Sequence, residues 1–231
     1  VWAIVPVKQF HLAKQRLAPV LSAAEREGLF RAMVADVLDC LRATPGIEHI
    51  LVVTREPGAR ALAAAAGAEL LEETLGGLVP AVTQGARAAA GAGAEGVLIV
   101  PGDLPLAGPG DLEAVLAAHR DAPAVTLVAD AEGIGTNCLA CSPPDLIAFH
   151  FGEDSFRAHR RAALAAGVRA RVLARPGLAL DVDTPGDLQA FAARGLEGRA
   201  VAFLEGSGIA SRLRQAPAAA AAFGTSIGER A

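Results

Sequence analysis

An α/β fold built on a largely parallel sheet covered on both faces is predicted for this chain by three features of its sequence. Short apolar runs of strand length, containing Val and Ile, recur at residues 2–7, 49–53, 96–100 and 124–129. Stretches of Ala, Leu, Glu and Arg with helical composition separate them, the alternation expected of βα units whose sheet is buried on both sides. With 231 residues and 52% hydrophobic side chains, the chain has enough apolar surface to offset the entropy of ordering one large domain.

Taken in order, the 2–7 run is a first strand and leads into a basic segment. Ser22-Ala-Ala-Glu25 is a capping box, in which hydroxyl and carboxylate satisfy each other's backbone donors, and opens a helix reaching about residue 41. Pro45-Gly46 stops the chain before the 49–53 strand, and further helices are expected near 58–66, 78–90 and 110–118. After Asp130 the rhythm breaks at Gly133-Ile-Gly135-Thr-Asn137. Ser142-Pro-Pro-Asp145 is expected to start a short helix, and Phe151-Gly-Glu-Asp-Ser155 to lead into a longer one ending near residue 167. Two more strands are expected at 168–173 and 178–182. Thr184-Pro-Gly-Asp187 then supplies an N-cap, an N1 proline and an N3 carboxylate for a helix that Gly195 would end. The expected organisation is one domain over 1–195 and a tail over 196–231, which contains the alanines at 218–222 and Gly/Ser-rich ends and is a short helix or partly disordered.

Aromatic residues are only 4% of the chain and much of the apolar fraction is Ala, so helices packed closely through small residues are expected. The 21 basic and 25 acidic side chains leave a formal net charge of −4. That balance argues against a general nucleic-acid surface while leaving room for a local basic pocket that takes a phosphorylated small molecule. No apolar run approaches a membrane span, and the one at 1–7 is short and soon followed by Lys8 and Lys14, unlike a signal peptide; a cytoplasmic location is expected. Cys40, Cys138 and Cys141 make no disulfide framework, and the lone Cys-x-x-Cys lacks the second pair of a structural zinc site.

Asp181-Val-Asp183 is the sharpest chemical feature. On an extended backbone, side chains at i and i+2 share a side, so two hard oxygen ligands can face a Mg²⁺ ion while Val182 points away. The plain alternative is that both aspartates cap the turn into the following helix. Asp103, in Pro101-Gly-Asp103 just after the 96–100 run, stands at the carboxyl end of a central strand, where open α/β sheets form ligand crevices. It is a third ligand if the fold brings it to Asp181 and Asp183, and otherwise a turn residue. Lys8, Lys14 and Arg16 follow the first strand as cations for a polyphosphate or as a solvated basic loop; neither a Walker A nor a Gly-x-Gly-x-x-Gly pattern accompanies them. Gly135-Thr136-Asn137, and Gly152 with Ser155 at a helix start, can offer amides and hydroxyls to an anionic acceptor or merely satisfy local turns. Ser155 and His159, four residues apart on a helix, have the spacing of a nucleophile–base pair, but no nucleophile elbow surrounds the serine and packing of His159 is the stronger reading. His11 lies in the basic segment, while His49, His119 and His150 form no metal-ligand grouping.

Six segments together resemble the phospholactate/phosphoenolpyruvate guanylyltransferase family of coenzyme F420 biosynthesis: Val5-Pro-Val-Lys8, Ala13-Lys-Gln-Arg-Leu-Ala-Pro19, Gly102-Asp-Leu-Pro-Leu106, Gly135-Thr-Asn137, Phe151-Gly-Glu-Asp-Ser-Phe156 and Leu180-Asp-Val-Asp-Thr-Pro185. The resemblance spans residues 2–194. It implies a three-layer α/β/α nucleotidyltransferase fold, glycosyltransferase-A-like and MobA-like, with a mostly parallel mixed sheet. It implies Mg²⁺ held by Asp103, Asp181 and Asp183, GTP as co-substrate near Lys8, Lys14, Arg16 and Gly77, and a phosphorylated acid near Thr136, Asn137, Gly152 and Ser155. The implied reaction moves GMP from GTP onto the phosphate of 2-phospho-L-lactate, phosphoenolpyruvate or 3-phospho-D-glycerate and releases pyrophosphate. Val79 and Ala131 depart from the family pattern, which often has Asn and a basic residue there. A homo-oligomeric copy and a downstream F420 biosynthetic transferase are candidate partners. Competing expectations are a nucleotidyltransferase for molybdopterin or a sugar phosphate, and a noncatalytic nucleotide-binding protein.

Overall fold

A computed structural model describes residues 1–194 and 197–215; the helix stop expected at Gly195 and the alanines at 218–222 lie outside the described residues. Seven strands, β1 (Trp2–Val7), β2 (His49–Thr54), β3 (Glu69–Glu72), β4 (Val97–Ile99), β5 (Ala124–Ala129), β6 (Thr136–Ser142) and β7 (Arg171–Leu173), form one sheet in the order β3-β2-β1-β4-β6-β5-β7. Every pairing is parallel except those of β6, which runs antiparallel to both β4 and β5.

The helices are α1 (Ala23–Ala43), α2 (Ala59–Ala65), α3 (Leu78–Gly91), α4 (Pro109–Ala118), α5 (Ser155–Ala165), α6 (Pro176–Ala179), α7 (Pro185–Ala192), α8 (Arg199–Gly206) and α9 (Ile209–Gln215). Strand alternation divides the core in two. Ala3, Val5 and Val7 of β1 join Leu98 of β4 and the α1, α4 and α7 residues on one face. Ile4, Val97 and Ile99 face α3 and Ala163 of α5 on the other. The three layers follow from this two-sided burial. Both predicted capping boxes form: Ser22 with Glu25 at α1, and Thr184 with Asp187 at α7. Beyond α7, Asp36 of α1 accepts the backbone N–H groups of Arg199 and Ala200, docking the start of α8.

Small residues set the spacing on the α3 face, as the composition suggested. Ala81, Val82, Gly85, Ala86 and Ala89 are its buried side. A Cβ at Gly85 would lie 2.8 Å from Ile4 Cγ2 and 3.0 Å from Val53 Cγ2. Gly85→Val is therefore expected to cost about 2–3 kcal/mol by overpacking, lowering the melting temperature by roughly 5–10 °C in a chain of this size; a thermal melt checks it.

Four expectations are corrected. The helix expected from Ser142 is absent: residues 136–142 form β6, buried on both faces, and Ser142 is its last residue. The Gly133–Gly135 break is thus a reversal rather than a lost βα unit. Asp130 makes it, its carboxylate accepting the N–H groups of Ile134 at 2.9 Å and Gly135 at 2.7 Å. The short strand β3 was not expected, because Glu-Leu-Leu-Glu carries no β-branched residue; pairing with β2 alone defines it. Finally, the expected 178–182 strand is instead the turn of α6, begun by Pro176, followed by extended chain outside the sheet.

Cys138 and Cys141 settle on opposite faces of β6, one in each core cluster, because three residues along a strand reverse the side. They cannot share a metal ion. Burial pushes their thiols up to about 12 and about 11, so neither is a reactive thiolate.

Candidate active site

A cleft of ≈ 540 Å³ opens beyond the carboxyl ends of β1 and β4, at the point where the chain's path across the sheet reverses from β2 and β3 on one side of β1 to β4 on the other. Because β6 is antiparallel, its first residues reach the same end of the sheet. Segments far apart in the chain therefore meet there.

The first is the basic segment after β1. It folds into two short 3₁₀ turns, Phe10–Leu12 and Gln15–Leu17, held down by the buried Phe10 ring against Phe30 and by Phe10 N–H donating to Glu56 at 2.8 Å. Lys14, between the turns, adopts a left-handed backbone at φ 55° that turns its side chain inward. Its side chain is only 3% exposed, and the ammonium donates at 2.7 Å to both Asp103 Oδ2 and Asp183 Oδ1. Burial opposes that charge, but the two carboxylates outweigh it and hold the Lys14 pKa above its ordinary value. Lys8 and Arg16 stand at the exposed rim, with an Arg16 nitrogen 3.9 Å from Asp183.

Asp103 leaves β4 through Pro101 and Gly102, where the backbone runs so close to α1 that a Cβ on Gly102 would be 2.7 Å from Val34 Cγ2. The Asp103 carbonyl then accepts the Val182 N–H at 3.2 Å. That bond aligns the third segment. Val182 is fully buried in the core, so its neighbours Asp181 and Asp183 both face the cleft, and the alternation expected of a strand survives without one. Burial, then the nearby Asp103 charge, raises the Asp181 pKa, against a 3.2 Å bond from Asn137 Nδ2. For Asp183 burial acts upward too, but the Lys14 ammonium prevails, with Lys8 and Arg16 adding to it, and the pKa is lowered.

Among the described residues, no three His, Cys, Asp or Glu side chains converge closely enough as they stand to hold a metal ion. The donor set nevertheless suits a hard cation: Asp103, Asp181 and Asp183 all line the cleft, and an ammonium already bridges two of them.

The opposite wall combines the start of β6 with the start of α5. Thr136 N–H donates to Ser155 Oγ at 2.9 Å, fastening the two elements. Gly152 takes φ 122°, a conformation that L side chains rarely adopt, just before α5. Asn137 is committed to structure: its amide donates to the Ala179 carbonyl and to Asp181, tethering the metal-ligand candidate to β6. The nucleophile–base reading of Ser155 and His159 fails on geometry, since His159 Nδ1 lies 3.0 Å from Thr136 Oγ1 and Ser155 Oγ is bonded by Thr136 N–H.

Of the residues singled out from sequence, Lys8, Lys14, Arg16, Asp103, Thr136, Asn137, Gly152, Ser155, Asp181 and Asp183 all line this cleft. Gly77 does not; it begins α3 at φ 98°, next to Leu78 on the cleft wall. Val79 faces a separate groove with Thr83 and Arg87. Sequence reasoning missed Asp130, Phe30 and Phe151 as wall residues. Only Asp130 carried a local signal, an Asp set just before a glycine-rich turn.

Comparison with known proteins places this geometry in a family. A family model described as "Guanylyl transferase CofC like" matches residues 1–223. A phosphoenolpyruvate guanylyltransferase of Conexibacter woesei is 42% identical over 191 residues, covering 82% of this chain and 86% of the relative. A 3-phospho-D-glycerate guanylyltransferase of Colwellia psychrerythraea is 35% identical over 189 residues, covering 82% and 90%. Among solved structures, a candidate nucleotide-diphospho-sugar transferase from Desulfovibrio desulfuricans superposes with a TM-score of 0.74 at 16% identity, over 93% of this chain and 96% of that one. The fold is the three-layer α/β/α nucleotidyltransferase architecture of the glycosyltransferase-A-like, MobA-like group, with a mixed, mostly parallel sheet.

Proposed function

The chain belongs to the CofC-like guanylyl transferase family, and from that premise we propose that it transfers GMP from GTP to the phosphate of a small phosphorylated carboxylic acid in coenzyme F420 biosynthesis. The acids are those of the family: phosphoenolpyruvate, 2-phospho-L-lactate or 3-phospho-D-glycerate. An oxygen of the acceptor phosphate forms a bond to the α-phosphorus of GTP, the bond from that phosphorus to the β-phosphate bridging oxygen breaks, and pyrophosphate leaves with the electron pair. The attacking oxygen is already anionic, so no general base is required.

The observation that carries this reading is one cleft in which three cations and the Asp103, Asp181 and Asp183 carboxylates stand together with the hydroxyl and backbone donors at Thr136, Gly152 and Ser155. Lys8, Lys14 and Arg16 meet the triphosphate, and the ammonium and guanidinium charges stabilise the departing pyrophosphate. Asp103, Asp181 and Asp183 are the residues that would hold Mg²⁺, Asn137 keeping Asp181 in place. Bound there, the ion supplies charge neutralisation at the reacting phosphate oxygens. The Thr136 and Ser155 hydroxyls and the backbone at Gly152 take the phosphorylated acid. Placing both substrates in one cleft supplies the alignment on which the displacement depends.

The test is pyrophosphate release with GTP and Mg²⁺ against each of the three acids, with ATP and acceptor-free controls and mass analysis of the product. An acid-dependent GMP adduct is expected. Folded protein that forms none with any of the three overturns the reading and turns attention to molybdopterin and sugar-phosphate acceptors.

A further inference from the structure

His159 is fully buried on α5 and has no place in the chemistry described so far. Its ring nitrogens nevertheless have fixed duties. Nε2 lies 2.9 Å from the backbone N–H of His150, a group that only donates, so Nε2 accepts and carries no proton. In the neutral ring the proton is then on Nδ1, which donates to Thr136 Oγ1 at 3.0 Å. Burial, aided by the facing His150, lowers the His159 pKa to about 4, which keeps the ring neutral around pH 7. The Phe151 ring meets it edge-on at 5.0 Å between centroids and adds no charge.

The consequence appears one bond further on. The Thr136 hydroxyl accepts from His159 and the Ser155 hydroxyl accepts from Thr136 N–H. Each therefore has its own hydrogen left to donate, and neither has another protein partner among the described residues. Both side chains line the cleft. A chain of bonds running from the His150 backbone through the imidazole thus ends in two neutral O–H donors at the cleft.

We propose that His159 is a positioning residue for the phosphorylated acid: its Nδ1–H bond holds the Thr136 hydroxyl as a donor, beside that of Ser155, toward an anionic group of the acceptor. The proposal rests on the functional reading above. It separates two roles within one ring, Nε2 serving the fold through His150 and Nδ1 serving the site through Thr136.

Two amide replacements separate those roles. His159→Gln can reach the His150 N–H and keeps the Nε2 duty, while His159→Asn carries a donor at the Nδ1 position. Loss of one hydrogen bond to an anionic group corresponds to a rise of about tenfold in KM. His159→Gln is therefore expected to raise the KM for the acid by that factor, with the KM for GTP unchanged, whereas His159→Asn restores an acid KM near wild type. Thr136→Val, which leaves the imidazole in place, is expected to raise the acid KM as His159→Gln does, and an unchanged acid KM there overturns the proposal even if an amide variant fails to fold. A purely structural histidine predicts instead that both KM values follow thermal stability. Wild-type turnover together with an unchanged acid KM in His159→Gln or Thr136→Val overturns this proposal alone. Wild-type protein lacking acid-dependent turnover overturns the functional reading and this proposal with it.

Discussion

Asp183→Asn is expected to lower kcat/KM for guanylyl transfer by about 10²- to 10³-fold, the scale on which a group stabilising transition-state charge is felt. The variant keeps an oxygen that accepts from Lys14, so the 2.7 Å contact and the fold persist while the negative charge is lost. That charge acts twice. On the proposed reading it is one of the three carboxylates that would hold Mg²⁺, and it shares the Lys14 ammonium with Asp103. Asp183 is also the more exposed of the two carboxylates that hold Lys14, at 41% against 24% for Asp103, so its loss has a small effect on stability beside its effect on catalysis. Steady-state kinetics alongside a thermal melt checks both halves of the prediction; wild-type turnover in the folded variant would remove Asp183 from the metal site.

Lys14→Met reverses the balance between fold and chemistry. The methionine fills the place of the lysine stem but removes the ammonium that lies over the Phe30 ring and leaves Asp103 and Asp183 without their shared counter-ion. Removing one partner of a buried ion pair costs about 3–5 kcal/mol, and partial exposure of both carboxylates reduces the expected loss to roughly 1–3 kcal/mol. Turnover is expected to fall about 100-fold as the triphosphate loses a cation. Added Mg²⁺ should raise the melting temperature of Lys14→Met more than that of wild type, because the carboxylates no longer hold an ammonium that competes for them. Equal Mg²⁺ shifts in the two proteins would show that these carboxylates are not where the ion binds.

Both predictions depend on a meeting of residues far apart in the chain, and local sequence shows only part of it. The capping boxes at Ser22 and Thr184 were legible because each needs only neighbouring groups. The 124–129 strand was legible because its buried composition is intrinsic to the run. By contrast, Thr136-Asn-Cys-Leu-Ala-Cys-Ser reads as neither helix nor alternating strand, since β6 is buried on both faces and takes its form from β4 and β5. The Asp181 and Asp183 pairing was visible in the spacing, but what holds it was not. In place of a sheet ladder stand the Val182 bond to Asp103, the buried valine, the Asn137 bond to Asp181 and the Asp183 N–H bond to Asp187.

The α/β class, most helix boundaries and the chemical inventory of the site were legible in the order of residues alone: three aspartates, three cations and a set of small donors. Those follow from periodicity, caps and residue chemistry, which act over a few positions. Tertiary structure decided which of them meet. It placed Lys14 between Asp103 and Asp183, 89 and 169 residues away, and bonded His159 to Thr136, twenty-three residues away. The direction of a buried side chain is set by what packs around it after the sheet closes, and no local pattern carries that information.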